Sequence, residues 1–82
     1  MNDNAELLIG QFEKNKTEEV RARLSSYQGH PFVDFRIFVT QDATGQRIPT
    51  KKGLAVRPDK LEALRDLVEA AIAVRDGKPG AR

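Results

Sequence analysis

The sequence has no cysteine and a single histidine, His30. Disulfides are therefore excluded as a source of stability, and a structural zinc site, which needs several Cys or His ligands, is not expected. A chain of 82 residues is one domain that buries only a modest fraction of its surface. Since neither a disulfide nor a metal supplements the core, association with another chain is the remaining common source of stability.

Long apolar runs are also missing. No stretch approaches the roughly 20 residues that a membrane-spanning helix needs. The opening segment, MNDNAELLIG, is acidic and contains only a short apolar run, unlike a secretory signal. We therefore expect an intracellular, cytoplasmic protein with no membrane association.

The inventory of reactive side chains argues against an enzyme. The chain offers no thiol nucleophile, and its one imidazole, His30, falls in a predicted turn, which leaves little prospect of a Ser/His/Asp group. The carboxylates of Asp59 and Glu62 fit a capping pattern at a helix start better than acid–base chemistry. We therefore expect no catalytic residue, no metal and no cofactor.

Charge is distributed unevenly along the chain. Residues 1–13 carry a net charge of −3 and residues 58–82 a net charge of zero, whereas residues 14–57 carry nine basic and four acidic groups, a net charge of +5. The formal net charge of +2 for the whole chain hides this basic centre. A basic patch on an otherwise balanced domain favours a polyanionic partner, and a solvated basic surface is the alternative.

Alternation of side chains predicts two long strands before residue 40. In residues 17–25 (TEEVRARLS) and again in residues 32–39 (FVDFRIFV), apolar side chains occupy every second position. The second strand has one wholly apolar row, Val33, Phe35, Ile37 and Val39, and one mixed row, Phe32, Asp34, Arg36 and Phe38. The apolar row suits a core, whereas the mixed row suits neither a core nor a plain solvent face.

Two shorter strands and a helix are predicted to follow. After the turn residues of QDATG, the segment QRIPT is predicted to be an edge strand, since Pro49 cannot donate to a central ladder. LAVR, after a turn at KKG, is the next short strand, and LLIGQF near the start of the chain is compatible with a strand or a short helix. From Pro58 to Gly77 apolar residues recur three or four positions apart, which predicts one helix.

Strands followed by a helix predict an α+β fold, a curved four- to five-stranded antiparallel sheet with one C-terminal helix. We expect one domain over residues 7–77, with residues 1–6 and 78–82 as flexible tails. The helix is expected to cover the apolar row and to leave the opposite sheet face open. Leu67 and Val74 make the helix more apolar than one sheet contact requires, which favours a helix-packed homodimer; a wider core within one chain is the alternative.

The open sheet face is the predicted functional surface. The side chains expected on it or at its border are basic or aromatic: Arg21, Arg23, Phe32, Arg36, Phe38, Arg47, Lys51 and Lys52. In single-stranded nucleic acid binding, bases stack on aromatic rings while Lys and Arg follow the phosphates. We therefore predict that the basic residues contact phosphates and that the two phenylalanines stack on bases, with Tyr27 as a weaker candidate. Packing of both rings under a loop or at a dimer contact is the alternative.

The same residues carry a family resemblance. The run YQGHPFVDFRIFV, followed by GQRIPTKKGLAVRPDKLEALRDLV, resembles the positive cofactor four family of transcriptional coactivators and their small bacterial relatives. The residues that match the family pattern are Tyr27, Gly29, Asp34, Phe35, Arg36, Phe38, Pro49, Lys51, Lys52, Gly53 and Pro58. The most specific part is the basic pair before Gly53, followed by a strand and a helix.

The resemblance implies a homodimer in which the two helices pack together and the two sheets form channels for single-stranded DNA. It also implies that Lys51 and Lys52 contact the DNA backbone, and that Arg36 and Phe38 lie in the channel. The hypothesis is thus a non-enzymatic protein that acts in transcription, replication or repair, with transcription or replication proteins as further partners. A protein-interaction module that uses the same face, or a protein that binds single-stranded RNA, is the alternative.

Two residues depart from the animal members of this family. Val39 stands where they have a stacking Trp, and Ser25 stands where they have an Arg. Both differences weaken the implied site, and Arg23 and Phe38 are candidates to compensate. The resemblance is therefore to a compact bacterial-type member, which we expect to associate with the nucleoid.

Overall fold

The computed structural model of the chain describes residues 6–77. Its elements are β1 (Leu7–Glu13), β2 (Glu18–Tyr27), β3 (His30–Thr40), β4 (Arg47–Val56), a 3-10 turn (Pro58–Lys60) and the helix α1 (Leu61–Arg75). The strands form one antiparallel sheet in the order β1-β2-β3-β4. The predicted α+β fold is confirmed. The segment LLIGQF, whose sequence was compatible with a strand or a short helix, forms strand β1. Apart from Glu6, the predicted tails 1–6 and 78–82 lie outside the described residues.

A two-residue turn joins β2 to β3. Gln28 and Gly29 have φ values of 52° and 80°, and two successive positive values are the mark of a type I′ hairpin turn. Because this turn matches the twist of the flanking strands, pairing is unbroken from Tyr27 opposite His30 down to Glu18. The β2–β3 hairpin is therefore the continuous centre of the sheet.

The register of this hairpin decides which side chains share a face. Arg21 lies opposite Arg36, and Arg23 lies opposite Asp34; directly opposed residues project to the same side. One side, the arginine face, carries Glu19, Arg21, Arg23, Ser25, Phe32, Asp34, Arg36 and Phe38. The other side, the apolar face, carries Val20, Ala22, Leu24, Val33, Phe35, Ile37 and Val39. The predicted alternation is confirmed.

A single strand, β4, replaces the two short strands that were predicted. Arg36 is paired with Gly53 and Phe38 with Pro49, so that residues 50–52 together face only Ile37. These three residues form a β-bulge, which takes up extra residues without reversing the chain. The predicted turn at KKG was therefore wrong, while the edge position inferred from Pro49 is confirmed.

The helix leaves the apolar face of its own chain uncovered. No residue of α1 is buried, and Leu67, Val68 and Ile72 are 70%, 51% and 42% exposed. The Cα radius of gyration is 15.4 Å, against about 12 Å for a compact domain of this length. The prediction that α1 covers the apolar row of β3 within one chain was wrong, because the helix contacts the rest of the chain chiefly through the preceding 3-10 turn.

The two ends of the helical region differ in whether the predicted capping residue is used. Asp59 does not cap the helix, because its carboxylate pairs with Arg57 at 2.9 Å (Oδ2 to Nη2), so the predicted capping pattern was wrong. Gly77 ends the helix as predicted: its φ is 75° and its N–H donates to the Val74 carbonyl at 3.0 Å. Among the described residues, no helix is long and apolar enough to cross a membrane.

Gly53 is required by the close approach of β4 to β3. A Cβ at this position would collide with the carbonyl oxygen of Phe35 and would lie 3.0 Å from Cα of Arg36. We expect Gly53→Ala to lower the free energy of unfolding by about 1 to 3 kcal/mol, measured by denaturant unfolding. Gly10→Ala in β1 is the matched control, since nothing lies within 4 Å of an added Cβ there. Equal losses in the two variants would contradict the prediction.

Candidate nucleic-acid interface

Asp34 organises one half of the arginine face. It is 3% exposed and lies between two guanidinium groups. Arg23 donates from Nη2 to Oδ2 at 2.6 Å, while Arg36 donates from Nη2 to Oδ1 at 2.6 Å and from Nε to Oδ2 at 3.2 Å. The Arg36 contact is bidentate, which is the strongest geometry for such a pair. One buried carboxylate therefore fixes two arginines that come from neighbouring strands.

Glu19 has the corresponding position in the other half. It is 7% exposed, and it accepts hydrogen bonds from Arg21 Nε at 2.6 Å and from Gln11 Nε2 at 3.1 Å. Arg47 approaches from β4, with Nη1 3.8 Å from Oε2, close enough for an ion pair. That Nη1 is buried and has no hydrogen-bond partner among the described residues. Glu19 thus joins side chains of β1, β2 and β4.

Phe38 is buried beneath this network. It is 4% exposed, and the guanidinium carbons of Arg21 and Arg23 lie 4.3 Å and 5.2 Å from its ring centroid. These distances are in the range of cation–π contacts. The prediction that Phe38 presents an open stacking surface was therefore wrong, because the arginines expected beside the ring lie over it.

The arginines of this face are held rather than free. The side chains of Arg21, Arg23, Arg36 and Arg47 are between 20% and 26% exposed, and each is paired with a carboxylate. The structure brings all four together, as predicted, but the carboxylates of Asp34 and Glu19 offset half of their charge. These ion pairs fix the orientation of each arginine side chain. Part of each side chain remains accessible to solvent.

The pKa of Asp34 reflects the same contacts. Burial alone raises the pKa of its carboxyl, but the hydrogen bonds from Arg36 and Arg23 outweigh burial and leave the pKa below its ordinary value of 3.8. The hydrogen bond to Asp34 raises the pKa of Arg36 in turn. The pair therefore stays ionised well into the acidic range.

Arg36 also anchors the bulge of β4. Its Nη1 donates to the carbonyl of Lys51 at 3.1 Å and lies 3.5 Å from the carbonyl of Thr50. The Thr50 hydroxyl donates to the Ile37 carbonyl at 2.8 Å and accepts from the Lys52 N–H at 3.1 Å. Lys51 and Lys52 are exposed, and neither ammonium group forms an ion pair with a described residue. The basic pair is thus presented on a fixed segment.

An aromatic groove lies at the hairpin end of the arginine face. The residues that line it are Tyr27, His30, Pro31, Phe32, Ala55 and Arg57. Tyr27 is 66% exposed and Phe32 is half-buried. On the arginine face these two rings, rather than Phe38, are the accessible aromatic surfaces. Phe32 lies next to Asp34 on its row of β3, while Glu19 lies farther along the strands.

Two groove residues were missed from the sequence, His30 and Arg57. The alternation that identified Phe32 also identifies His30, because the two lie on one row of β3 and His30 pairs with Tyr27. Arg57 follows Ala55 at the same spacing, just beyond β4. Continuing the two-residue alternation beyond the predicted ends of the strands would have identified both residues.

A sheet with one cationic, partly aromatic face and a following helix defines a nucleic-acid-binding type of α+β domain. The family model described as Transcriptional Coactivator p15 (PC4) matches residues 14–67, more than half of the chain. The chain therefore belongs to the PC4 family, a non-enzymatic nucleic-acid-binding family known for binding single-stranded DNA. The comparison with curated protein sequences gives no significant match.

Two crystal structures of BPSL1147, a PC4 homologue from Burkholderia pseudomallei, are similar to this chain. The tetragonal form has a TM-score of 0.69 and 29% sequence identity, over 82% of this chain and 98% of that chain. The orthorhombic form has a TM-score of 0.68 and 26% identity, over 87% and 93% of the two chains. The similarity therefore extends over almost the whole of the bacterial homologue.

Replacing Asp34 tests the network directly. We expect Asp34→Asn to lower the free energy of unfolding at neutral pH by on the order of 3 kcal/mol, because Arg36 loses its anionic partner among the described residues and Arg23 loses the buried one of its two. Since the pKa of Asp34 is depressed in the folded state, its contribution is complete above the ordinary value of 3.8 and disappears as the pH falls through the folded value.

Denaturant unfolding at a series of pH values measures this difference. The gap between wild type and Asp34→Asn should close in acid, and Asp42→Asn, in the exposed loop after β3, should have little effect at any pH. A gap that does not change with pH would show that the Asp34 carboxylate has no electrostatic role.

Proposed function

We propose that this protein binds single-stranded DNA through the arginine face, as a homodimer without enzymatic activity, on DNA opened in the cytoplasm during transcription, replication or repair. The observation that carries the proposal is the anchored bulge, in which neither Lys51 nor Lys52 forms an ion pair with a described carboxylate and both lie beside the arginine network. Cations on a fixed segment, together with accessible rings at the hairpin end of the same sheet, match the two requirements of a single strand.

The backbone contacts are proposed to fall mainly on the bulge. Lys51 and Lys52 have no ion pair with a described residue to give up, so each phosphate they neutralise releases counterions at little cost. The accessible parts of Arg21, Arg23 and Arg47 extend this cationic surface across the sheet. Arg36 donates to Asp34 and to bulge carbonyls, and its proposed contribution is to position the lysines as well as to add charge.

The bases are proposed to stack in the aromatic groove. Tyr27 and Phe32 are the accessible rings on the arginine face, and stacking contributes roughly 1 to 3 kcal/mol per base whatever its identity. Phe38 supports Arg21 and Arg23 from beneath and acts on the ligand through them. Since a duplex hides the faces of its bases, the groove favours an unpaired strand.

Affinity for matched oligonucleotides tests the proposal. Fluorescence anisotropy with one labelled sequence, as a single strand and as a duplex, should show tighter binding of the single strand and a steep loss of affinity with added salt. Absence of binding at low salt, or equal affinity for the two forms, would overturn the proposal.

Two double variants locate the contact on the protein. Lys51→Ala with Lys52→Ala should weaken binding and flatten the slope of log affinity against log salt by about 1 to 2 units. Lys14→Ala with Lys16→Ala removes the same charge from the β1–β2 connection, where Lys14 already pairs with Glu18 at 2.9 Å. Similar behaviour of the two pairs would mean that the bulge is not the contact site.

The homodimer follows from the scarcity of core in one chain. Among the described residues only Val33, Phe38 and Val56 are buried hydrophobics, while the apolar side of α1 is open to solvent. A second copy is the proposed occupant of that surface, because a small domain without disulfide or metal needs a further source of stability. The dimer would also carry two arginine faces, one from each chain.

Sedimentation equilibrium at micromolar concentration tests this assembly. The wild type should sediment as a dimer, and Leu67→Glu should shift it towards a monomer, because Leu67 is 70% exposed in the single chain and a buried carboxylate at an apolar contact is costly. Glu69→Gln changes the helix charge by one unit in the opposite direction, on the polar side of the helix, and should leave the dimer intact. A monomeric wild type would remove the assembly from the proposal.

A further inference from the structure

The carboxylate of Glu6 occupies part of the arginine face. Its Oε1 accepts a hydrogen bond from Arg23 Nη1 at 2.8 Å, and Ser25 Oγ lies 3.4 Å from its Oε2. The side chain of Glu6 is 42% exposed, whereas those of Glu19 and Asp34 are 9% and 5% exposed. Glu6 is therefore the accessible carboxylate among the three that hold arginines on this face.

These carboxylates differ in what they hold. Glu19 and Asp34 are buried, and each binds side chains from more than one strand, so neither can leave without breaking the network. Glu6 holds one nitrogen of one guanidinium group and makes a long hydroxyl contact. Its departure would leave Arg23 in place, because Asp34 still binds the other terminal nitrogen at 2.6 Å.

The position that Glu6 fills has the properties of a phosphate site. A phosphate presents two oxygens to a guanidinium group much as a carboxylate does, and a hydroxyl beside the arginine offers a second donor. Arg23 Nε is buried without a hydrogen-bond partner among the described residues, so the existing contacts do not saturate this arginine. A phosphate oxygen in this position would accept the same hydrogen bond from Nη1 of Arg23 and keep the charge pairing.

We propose that Glu6 is an internal competitor for the backbone phosphate that Arg23 binds, so that a single strand must displace it. The inference rests on the proposed function and adds a residue that lowers affinity. The competition penalises every polyanion at Arg23, and ligands that also stack in the aromatic groove overcome it. Glu6 therefore lowers the affinity of every ligand that binds at Arg23, so that only ligands with further contacts, such as stacking in the aromatic groove, bind tightly.

Two substitutions that each neutralise one carboxylate at or next to β1 distinguish competition at Arg23 from a general effect of net charge on affinity. Glu6→Gln should tighten binding of a labelled single-stranded oligonucleotide by about fivefold, the scale of one partly exposed ion pair. Glu13→Gln, opposite Glu19 on β1, removes the same charge from a residue with no ion pair among those described, and it should change affinity by less than about twofold. Equal effects of the two variants, or weaker binding by Glu6→Gln, would overturn the inference.

A double-variant cycle shows whether the effect acts through Arg23. In the Arg23→Gln background, Glu6→Gln should give no gain, since the phosphate site is gone; a gain that persists would also overturn the inference. Circular dichroism checks the fold, and Glu6→Asp, which is one methylene shorter, should give an intermediate gain if Glu6→Gln fails to fold. A wild type that binds no single strand refutes the proposed function itself, whereas normal binding by the wild type with no gain in Glu6→Gln refutes only the competition.

Discussion

A buried carboxylate between two guanidinium groups is the contact on which the functional face depends. Taking Asp34 out of water is unfavourable unless its oxygens are well paired, and Arg23 and Arg36 meet that condition from adjacent strands. Both arginines then have a second role, since Arg36 holds the bulge that carries the lysines and Arg23 lies over Phe38. The face is thus ordered before a ligand arrives, which lowers the entropy cost of binding.

The parts of the fold that could be predicted from the sequence are those that depend on local periodicity. Alternation in β2 and β3, with a tight turn at Gly29, was sufficient to assign side chains to two faces, because a shift of one residue would exchange the faces completely. The bulge at residues 50–52 and the direction of α1 could not be predicted in this way. They depend on which distant residues pair, and on surfaces that a single chain leaves open.

The candidate site was only partly predictable from the sequence. The identity of its cations followed from the sequence, because four arginines and a Lys-Lys pair fall on one face or at its bulge. The exposure of these side chains could not be predicted from the sequence, because long side chains from β2 cover Phe38. Nor could the effective charge of the arginines, which Glu19 and Asp34 reduce. Three-dimensional neighbours, rather than spacing, decide how much of each side chain a ligand can reach.

The irregular outer strands also affect how the sheet meets other sheets. The pairing of β1 shifts between Leu8 and Gly10, and that of β4 is interrupted at residues 50–52 beside Pro49. Unpaired edges that are straight recruit further strands and grow into aggregates, whereas kinks, proline and lysine prevent such growth. Each exposed border of this sheet has at least one of these protections, so copies held at high local concentration can stay separate particles instead of pairing edge to edge into fibres.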